Sequence, residues 1–245
     1  IATYSQAGAQ FGLLTLWTAL ITFPLMTAIQ EMCARIGLVT SAGLTFNIKK
    51  HYPKSLLWFI VLLSIPAIVL NIGADIAGMG AVAHLVIPHV SASVFSVLFT
   101  FILLITIVFL SYERMVVILK YLCCTLLLYL IIPFLSKQDW LLILKNTVIP
   151  TVRFDKEFIS ILVAILGTTI SPYLFFWQTT MEAEGRKKSK EKSIIVNKYE
   201  IQDMKKDVGF GMLISNLVMY FIILTTGTIL FNSGIHQIDT VEQAA

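Results

Sequence analysis

Leu-Gly-Thr-Thr-Ile-Ser-Pro-Tyr, residues 166–173, lies in the middle of an otherwise uninterrupted apolar stretch, residues 158–180, and how it is read decides the kind of protein this is. Pro172 removes an amide donor and disfavours helical geometry at Ser171, and Gly167 weakens the same turn. A helix through this stretch is therefore predicted to break here. In lipid, broken backbone persists only where protein buries it or where it lines a polar cavity, and a break near mid-membrane frees carbonyl oxygens for a cation. Thr168, Thr169 and Ser171 add hydroxyl oxygens. Two readings stay open from these residues alone: an ion site, or a proline kink whose hydroxyls bond back to the helix.

Working outward, the rest of the chain supplies the membrane that this argument needs. Of 245 residues, 57% are hydrophobic and 13% charged, against roughly 25% charged in soluble domains. That excludes a soluble globular protein. Six stretches reach the length of about 20 apolar residues that a bilayer demands: residues 11–30, 56–88, 91–112, 115–135, 158–180 and 208–231. The second is too long for one plain span and carries Asn71 and Asp75, so it is expected to extend past the membrane or to bend. No strand-like alternation recurs, which argues against a barrel. The fold class is an all-α polytopic membrane protein, a single transmembrane domain over 1–245. Cys33, Cys123 and Cys124 are an odd number in or beside apolar stretches, read as buried small apolar residues rather than a disulfide or metal motif.

The basic residues set the orientation. Fourteen Lys and Arg fall in one set of loops: Arg35, Lys49, Lys50 and Lys54, then Arg114 and Lys120, then eight between Arg186 and Lys206. The alternate loops hold Lys137, Lys145, Arg153 and Lys156. The first set is therefore cytoplasmic, and residues 181–207 are expected to be a solvated cytoplasmic loop. The net charge of +4 is confined to loops in this way, and nothing supports nucleic-acid binding. Residues 1–30 carry no charge and no initiator methionine, so the chain is expected to begin inside a membrane-embedded element as an internal fragment, truncated at both ends.

Ionisable groups within spans are costly, about 2.5–3.5 kcal/mol at mid-bilayer on insertion scales, and usually mark a pathway. Glu31, four residues before Arg35, reads as an ordinary helical ion pair near the interface. Asp75 sits some 20 residues into the second stretch, with Asn71 one turn earlier on the same face and glycines around it. Either interhelical hydrogen bonds satisfy it or it lies on an ion or proton path. His84 and His89 border the far end of that stretch and read as interfacial residues, and the run Tyr173, Phe175, Phe176 and Trp177 as packing or lipid contact. A second catalytic acid, a Ser and His pair, or a His-Glu-x-x-His motif inside the spans would be needed for a hydrolase, and none is present, so the protein is not expected to be an enzyme or to hold a cofactor.

Together, Ile-Ala-Thr-Tyr-Ser-Gln-Ala-Gly-Ala-Gln-Phe-Gly at 1–12, Gln-Glu-Met-Cys-Ala-Arg-Ile-Gly-Leu-Val-Thr at 30–40, the 71–80 segment and the Ser-Pro-Tyr break resemble the Nramp family of divalent-metal transporters, most closely its magnesium-transporting branch. The resemblance covers nearly the whole chain, in order. It implies a LeuT-type fold, present from the end of helix one through helix seven, with the ion held at discontinuous first and sixth helices. It also implies a multi-pass protein of a bacterial plasma (inner) membrane, with a divalent metal ion and the lipid bilayer as partners; no feature speaks to oligomeric state. On this reading Thr168 and Ser171 are metal ligands, with the strongest ligands of helix one preceding Ile1, and Asn71, Asp75 and Tyr173 line an ion or proton pathway.

Two departures refine the expectation. Ser171, Pro172 and Tyr173 stand where metal-importing members have Met-Pro-His, and Asp75, Ile76, Ala77 and Gly78 where they have an Asp-Leu-Ala-Glu-like segment. Loss of the thioether points to hard ions, Mg²⁺ and Mn²⁺, and loss of the histidine and one acid to transport without tight proton coupling. A proton-coupled Mn²⁺/Fe²⁺ importer, a non-transporting membrane receptor or assembly subunit, and an amino-acid carrier of the same architecture are the alternatives.

Overall fold

The computed structural model describes residues 2–110, 112–135, 138–188, 197–236 and 238. The protein is 85% helical, with no strand among the described residues. The elements, in order, are α1 (Ala2–Phe11), a 3₁₀ turn (Gly12–Thr15), α2 (Thr18–Thr40), α3 (Leu44–His51), α4 (Lys54–Val86), α5 (Ala92–Phe109), α6 (Tyr112–Leu126), α7 (Leu128–Leu135), α8 (Trp140–Val148), α9 (Lys156–Thr169), α10 (Pro172–Lys188) and α11 (Lys198–Ile229).

Five segments are long and apolar enough to cross a membrane: Lys54–Val86, Ala92–Phe109, Val117–Leu135, Lys156–Arg186 and Lys198–Ile229. They correspond to the second through sixth stretches of the sequence. The side chains of Trp58, Leu70, Val86 and Phe109 are each more than 60% exposed. Lipid is as apolar as leucine and accepts such a surface where water would not. At about 1.5 Å per residue, the 33 residues of α4 exceed the roughly 30 Å hydrocarbon core, as expected for the second stretch.

The first stretch, expected to span over 11–30, is not one helix. Gly12 adopts φ +58°, a conformation that L side chains rarely take, and the chain tightens into the 3₁₀ turn before α2 starts at Thr18. Helices 2–15 and 18–40 qualify as a span only when taken together across that break. The fourth stretch is likewise interrupted at Leu127, between α6 and α7. The 181–207 run, expected as a loop, is helical over 181–188 and 198–207, while 189–196 lie outside the described residues. Charge signalled exposure there, but Lys and Glu are good helix formers, so exposure did not mean loop. Cys33 is buried as expected; Cys123 and Cys124, expected to be buried, are exposed on α6, where their small apolar side chains suit lipid as well as a core.

The chain divides into two compact units. The first comprises Ile1–Trp17, Val69–Leu162 and Val218–Ala245. Here α1 lies so close to α11 that a Cβ on Gly8 would come within 2.6 Å of the Ile223 carbonyl, and one on Gly227 within 2.7 Å of the Gly12 carbonyl. Phe11 packs edge-on against the fully buried Phe158, with centroids 5.0 Å apart. The hairpin of α4 and α5 closes at Gly80, where a Cβ would meet the Ala92 carbonyl at 2.5 Å. Ser96 donates to the Ala92 carbonyl at 3.0 Å and the Ile76 carbonyl at 3.3 Å. His84, expected at the interface, ties this turn by a 2.7 Å bond between Nδ1 and the Val90 carbonyl.

The second unit comprises Thr18–Ile68 and Val163–Leu217. Its centre is α2, which presents Thr22, Met26, Gln30, Cys33, Ala34 and Gly37 inward. Gly37 lets α10 approach until a Cβ would collide with the Thr179 carbonyl. Ala34 packs with Met204 and Val208 of α11. Glu31 pairs with Arg35 at 2.7 Å, as its spacing predicted, and with Lys205 of α11 at 2.9 Å.

Candidate ion-translocation site

The expected break is present. α9 ends at Thr169, Ile170 and Ser171 are non-helical, and α10 begins at Pro172. Pro172 has no N–H to give the Thr168 carbonyl, its partner in a continuous helix. The Ser171 hydroxyl takes that place, donating to the Thr168 carbonyl at 2.6 Å and the Gly167 carbonyl at 3.0 Å. The Leu174 amide, which a continuous helix would send to the Ile170 carbonyl, turns instead to the Ser171 carbonyl at 3.1 Å. Thr169 donates to the Ile165 carbonyl at 2.6 Å.

Both Ser171, 2% exposed, and Thr169, 5% exposed, are buried, and Thr168 and Tyr173 are half-buried. Around the break the chain thus carries oxygens of two kinds: hydroxyls at 168, 169 and 171, those of Thr169 and Ser171 donating to carbonyls of α9, and the Ile170 carbonyl, released from its helical donor. An oxygen-only set suits hard cations. The backbone breaks as predicted, and the Thr169 and Ser171 hydroxyls bond back to α9 as the proline-kink reading described.

Thr168 and Ser171 are brought together at the break. Asn71 and Asp75 are brought together on α4, in the other unit, where the Asn71 amide donates to the Asp75 carboxylate at 3.3 Å. Both are exposed. The interhelical hydrogen bonds offered as one account of Asp75 are absent among the described residues, and its bond stays within its own helix.

Polar residues that the sequence reading passed over lie inside the second unit. Asn216 accepts from the Thr22 hydroxyl at 3.0 Å and donates to the Ala19 carbonyl at 2.9 Å, pinning α11 to α2 in mid-span. Thr179, fully buried, donates to the Cys33 carbonyl at 3.1 Å. Gln30 is 2% exposed and its Oε1 has no hydrogen-bond partner among the described residues. Asn216 was open to view as the lone amide in an apolar run, Leu-Ile-Ser-Asn-Leu-Val-Met. Gln30 carried no such signal, because it falls where the apolar run gives way to Glu31.

The profile of the Nramp family, natural resistance-associated macrophage protein-like, matches residues 1–245. The chain belongs to the Nramp family. Membership implies divalent metal cation transport by a multi-pass membrane protein.

Proposed function

We propose that this Nramp protein carries Mg²⁺, with Mn²⁺ as a second substrate, as a secondary-type transporter of a bacterial plasma (inner) membrane. In this reading the fold is of the LeuT type: α1 is the tail of the first helix, α2 the second, α4 and α5 the third and fourth, α6 with α7 the fifth, and α11 the seventh. The sixth is discontinuous, made of α9 and α10, with Thr168 and Ser171 as ion ligands and Asn71, Asp75 and Tyr173 along the pathway. The segment 181–207 faces the cytoplasm, in keeping with its eight basic residues.

The observation that carries the proposal is Ser171 at the family's methionine position, where its oxygen closes the break. Mg²⁺ dehydrates reluctantly and is usually held with several waters retained, which a small hydroxyl permits and a bulky thioether does not. Sulfur donors favour softer ions, so their absence weakens Cd²⁺ more than Mn²⁺. Gly78 and Tyr173, in place of an acid and a histidine, leave fewer proton carriers, which supports transport without tight proton coupling.

Uptake into proteoliposomes is the test. Mg²⁺ and Mn²⁺ are expected to enter and to compete with each other, with Cd²⁺ poorly carried and the lumen not acidified in proportion to metal. Good Cd²⁺ transport with no Mg²⁺ entry or competition, accompanied by acidification, identifies a proton-coupled Mn²⁺/Fe²⁺ importer instead. Absence of any flux leaves the receptor reading.

A further inference from the structure

The first unit holds a cavity of about 320 Å³ lined by Gln10, Phe11, Glu157 and His236. Three of these four carry metal-binding atoms, and the structure prepares two of them. His236 follows α11, and its Nδ1 lies 3.4 Å from the Ala9 carbonyl, an oxygen that can only accept; the tautomer with the proton on Nδ1 makes this bond and leaves Nε2 as the electron-pair donor. Metal-binding imidazoles are usually oriented in this way, by giving the other N–H to a backbone carbonyl. Phe231 packs against the ring at a centroid distance of 4.9 Å. The same segment is fastened to α1 a second time, by the Ile238 amide donating to the Gln6 side chain at 3.0 Å.

Glu157, in the first turn of α9, is released from the tasks a carboxylate there would ordinarily perform. Asp155 caps the helix, accepting from the Phe158 amide at 2.8 Å, and Asp155 also takes the nearby Arg153 at 2.9 Å. The Glu157 carboxylate has neither an ion pair nor a hydrogen bond among the described residues, and neither has the Gln10 carboxamide. A carboxylate, an imidazole and an amide oxygen lining one space, with water filling the remaining positions, is a donor set for a first-row divalent cation. Imidazole suits such ions better than it suits Mg²⁺.

We infer that this cavity is a capture site for a divalent first-row cation of the Mn²⁺ class, held by Glu157, Nε2 of His236 and the Gln10 carboxamide. The end of α1, the first turn of α9 and the segment after α11 that form it adjoin the loops with few basic residues, opposite the cytoplasmic face, so it meets ions before they enter the membrane. Its purpose rests on the transporter reading; its chemistry does not.

Mn²⁺ binding to the purified protein, followed by the nitrogen couplings in its pulsed electron paramagnetic resonance spectrum, separates the two. The native protein is expected to show imidazole nitrogen coupled to Mn²⁺, and His236→Ala to lose it. Glu157→Gln is expected to weaken this site by about tenfold or more, the lower end of the loss seen even for outer-shell partners of a metal. In uptake assays, both variants should raise the KM for Mn²⁺ by a similar factor with little change in the maximal rate. Gln10→Glu adds a carboxylate and should tighten binding, a gain that a folding defect does not produce. Nitrogen coupling unchanged in His236→Ala, or Mn²⁺ uptake with no such coupling in the native protein, overturns the inference and leaves transport standing. Coupling that depends on His236 in a protein that moves no metal upholds the site and removes the transport reading.

Discussion

Replacing Ser171 by alanine removes the hydroxyl proton that closes the helix break while leaving the backbone free to keep its course. In the native protein that proton is shared between the Thr168 carbonyl at 2.6 Å and the Gly167 carbonyl at 3.0 Å. Pro172 has no amide to replace it at Thr168, and the Ser171 amide makes no bond to Gly167. The residue is 2% exposed, so the lost bond is a buried one. Leaving a buried acceptor without its donor costs about 1–3 kcal/mol, which for a chain of this size lowers Tm by roughly 2–12 °C. Ser171→Thr keeps the hydroxyl and should stay near the native value. The assay is thermal unfolding of the detergent-purified protein, with all variants in the same detergent and without added metal. A Tm for Ser171→Ala equal to the native value would refute the role assigned to the hydroxyl, since neither carbonyl would then depend on it.

Pro172→Ala restores an N–H within reach of the Thr168 carbonyl and relieves a helix breaker worth about 3 kcal/mol in a helix interior; the expected result is a more stable protein with impaired Mg²⁺ uptake, measured side by side. Asn216→Leu severs α11 from Thr22 and Ala19; hydrogen bonds between membrane helices average about 0.6 kcal/mol and reach about 1.7, so the loss should fall in that range on a denaturation curve. Gly80→Val drives a side chain into the Ala92 carbonyl and should destabilise the α4 and α5 hairpin, whereas Gly73→Ala, with nothing within 4 Å of its Cβ, should be neutral or better in the same unfolding assay. Asp75→Asn keeps an amide beside Asn71 but removes the charge; if Asp75 lies on the ion path, uptake falls with Tm unchanged.

The parts of this fold that were legible in the sequence are those that hydropathy and proline chemistry govern. Lipid selects apolar runs by length, so the second to sixth stretches translate into spans with little interference from tertiary contacts. The break at 170–171 was legible because Pro172 acts through its own missing amide, whatever surrounds it. The break after Phe11 was not, because it is made by the positive φ of Gly12 beneath the Phe231 ring, where a Cβ would come within 3.2 Å, and that is a matter of packing. The Glu31 pair with Arg35 could be read from spacing, while its second partner, Lys205, required α11 to lie against α2. At the candidate site the oxygens of 168 and 171 were visible in the sequence. The inward direction of the Ser171 proton was not, since it depends on which carbonyls the break leaves open.

That inward proton makes the break a closed joint. The Ser171 hydroxyl staples the Thr168 and Gly167 carbonyls from a side chain only 2% exposed, so it lacks the freedom that lets exposed rotamers exchange in picoseconds to nanoseconds. Any group that is to reach those two carbonyls has first to displace the proton that holds them, and the neighbours that bury Ser171 have to yield for it to turn away.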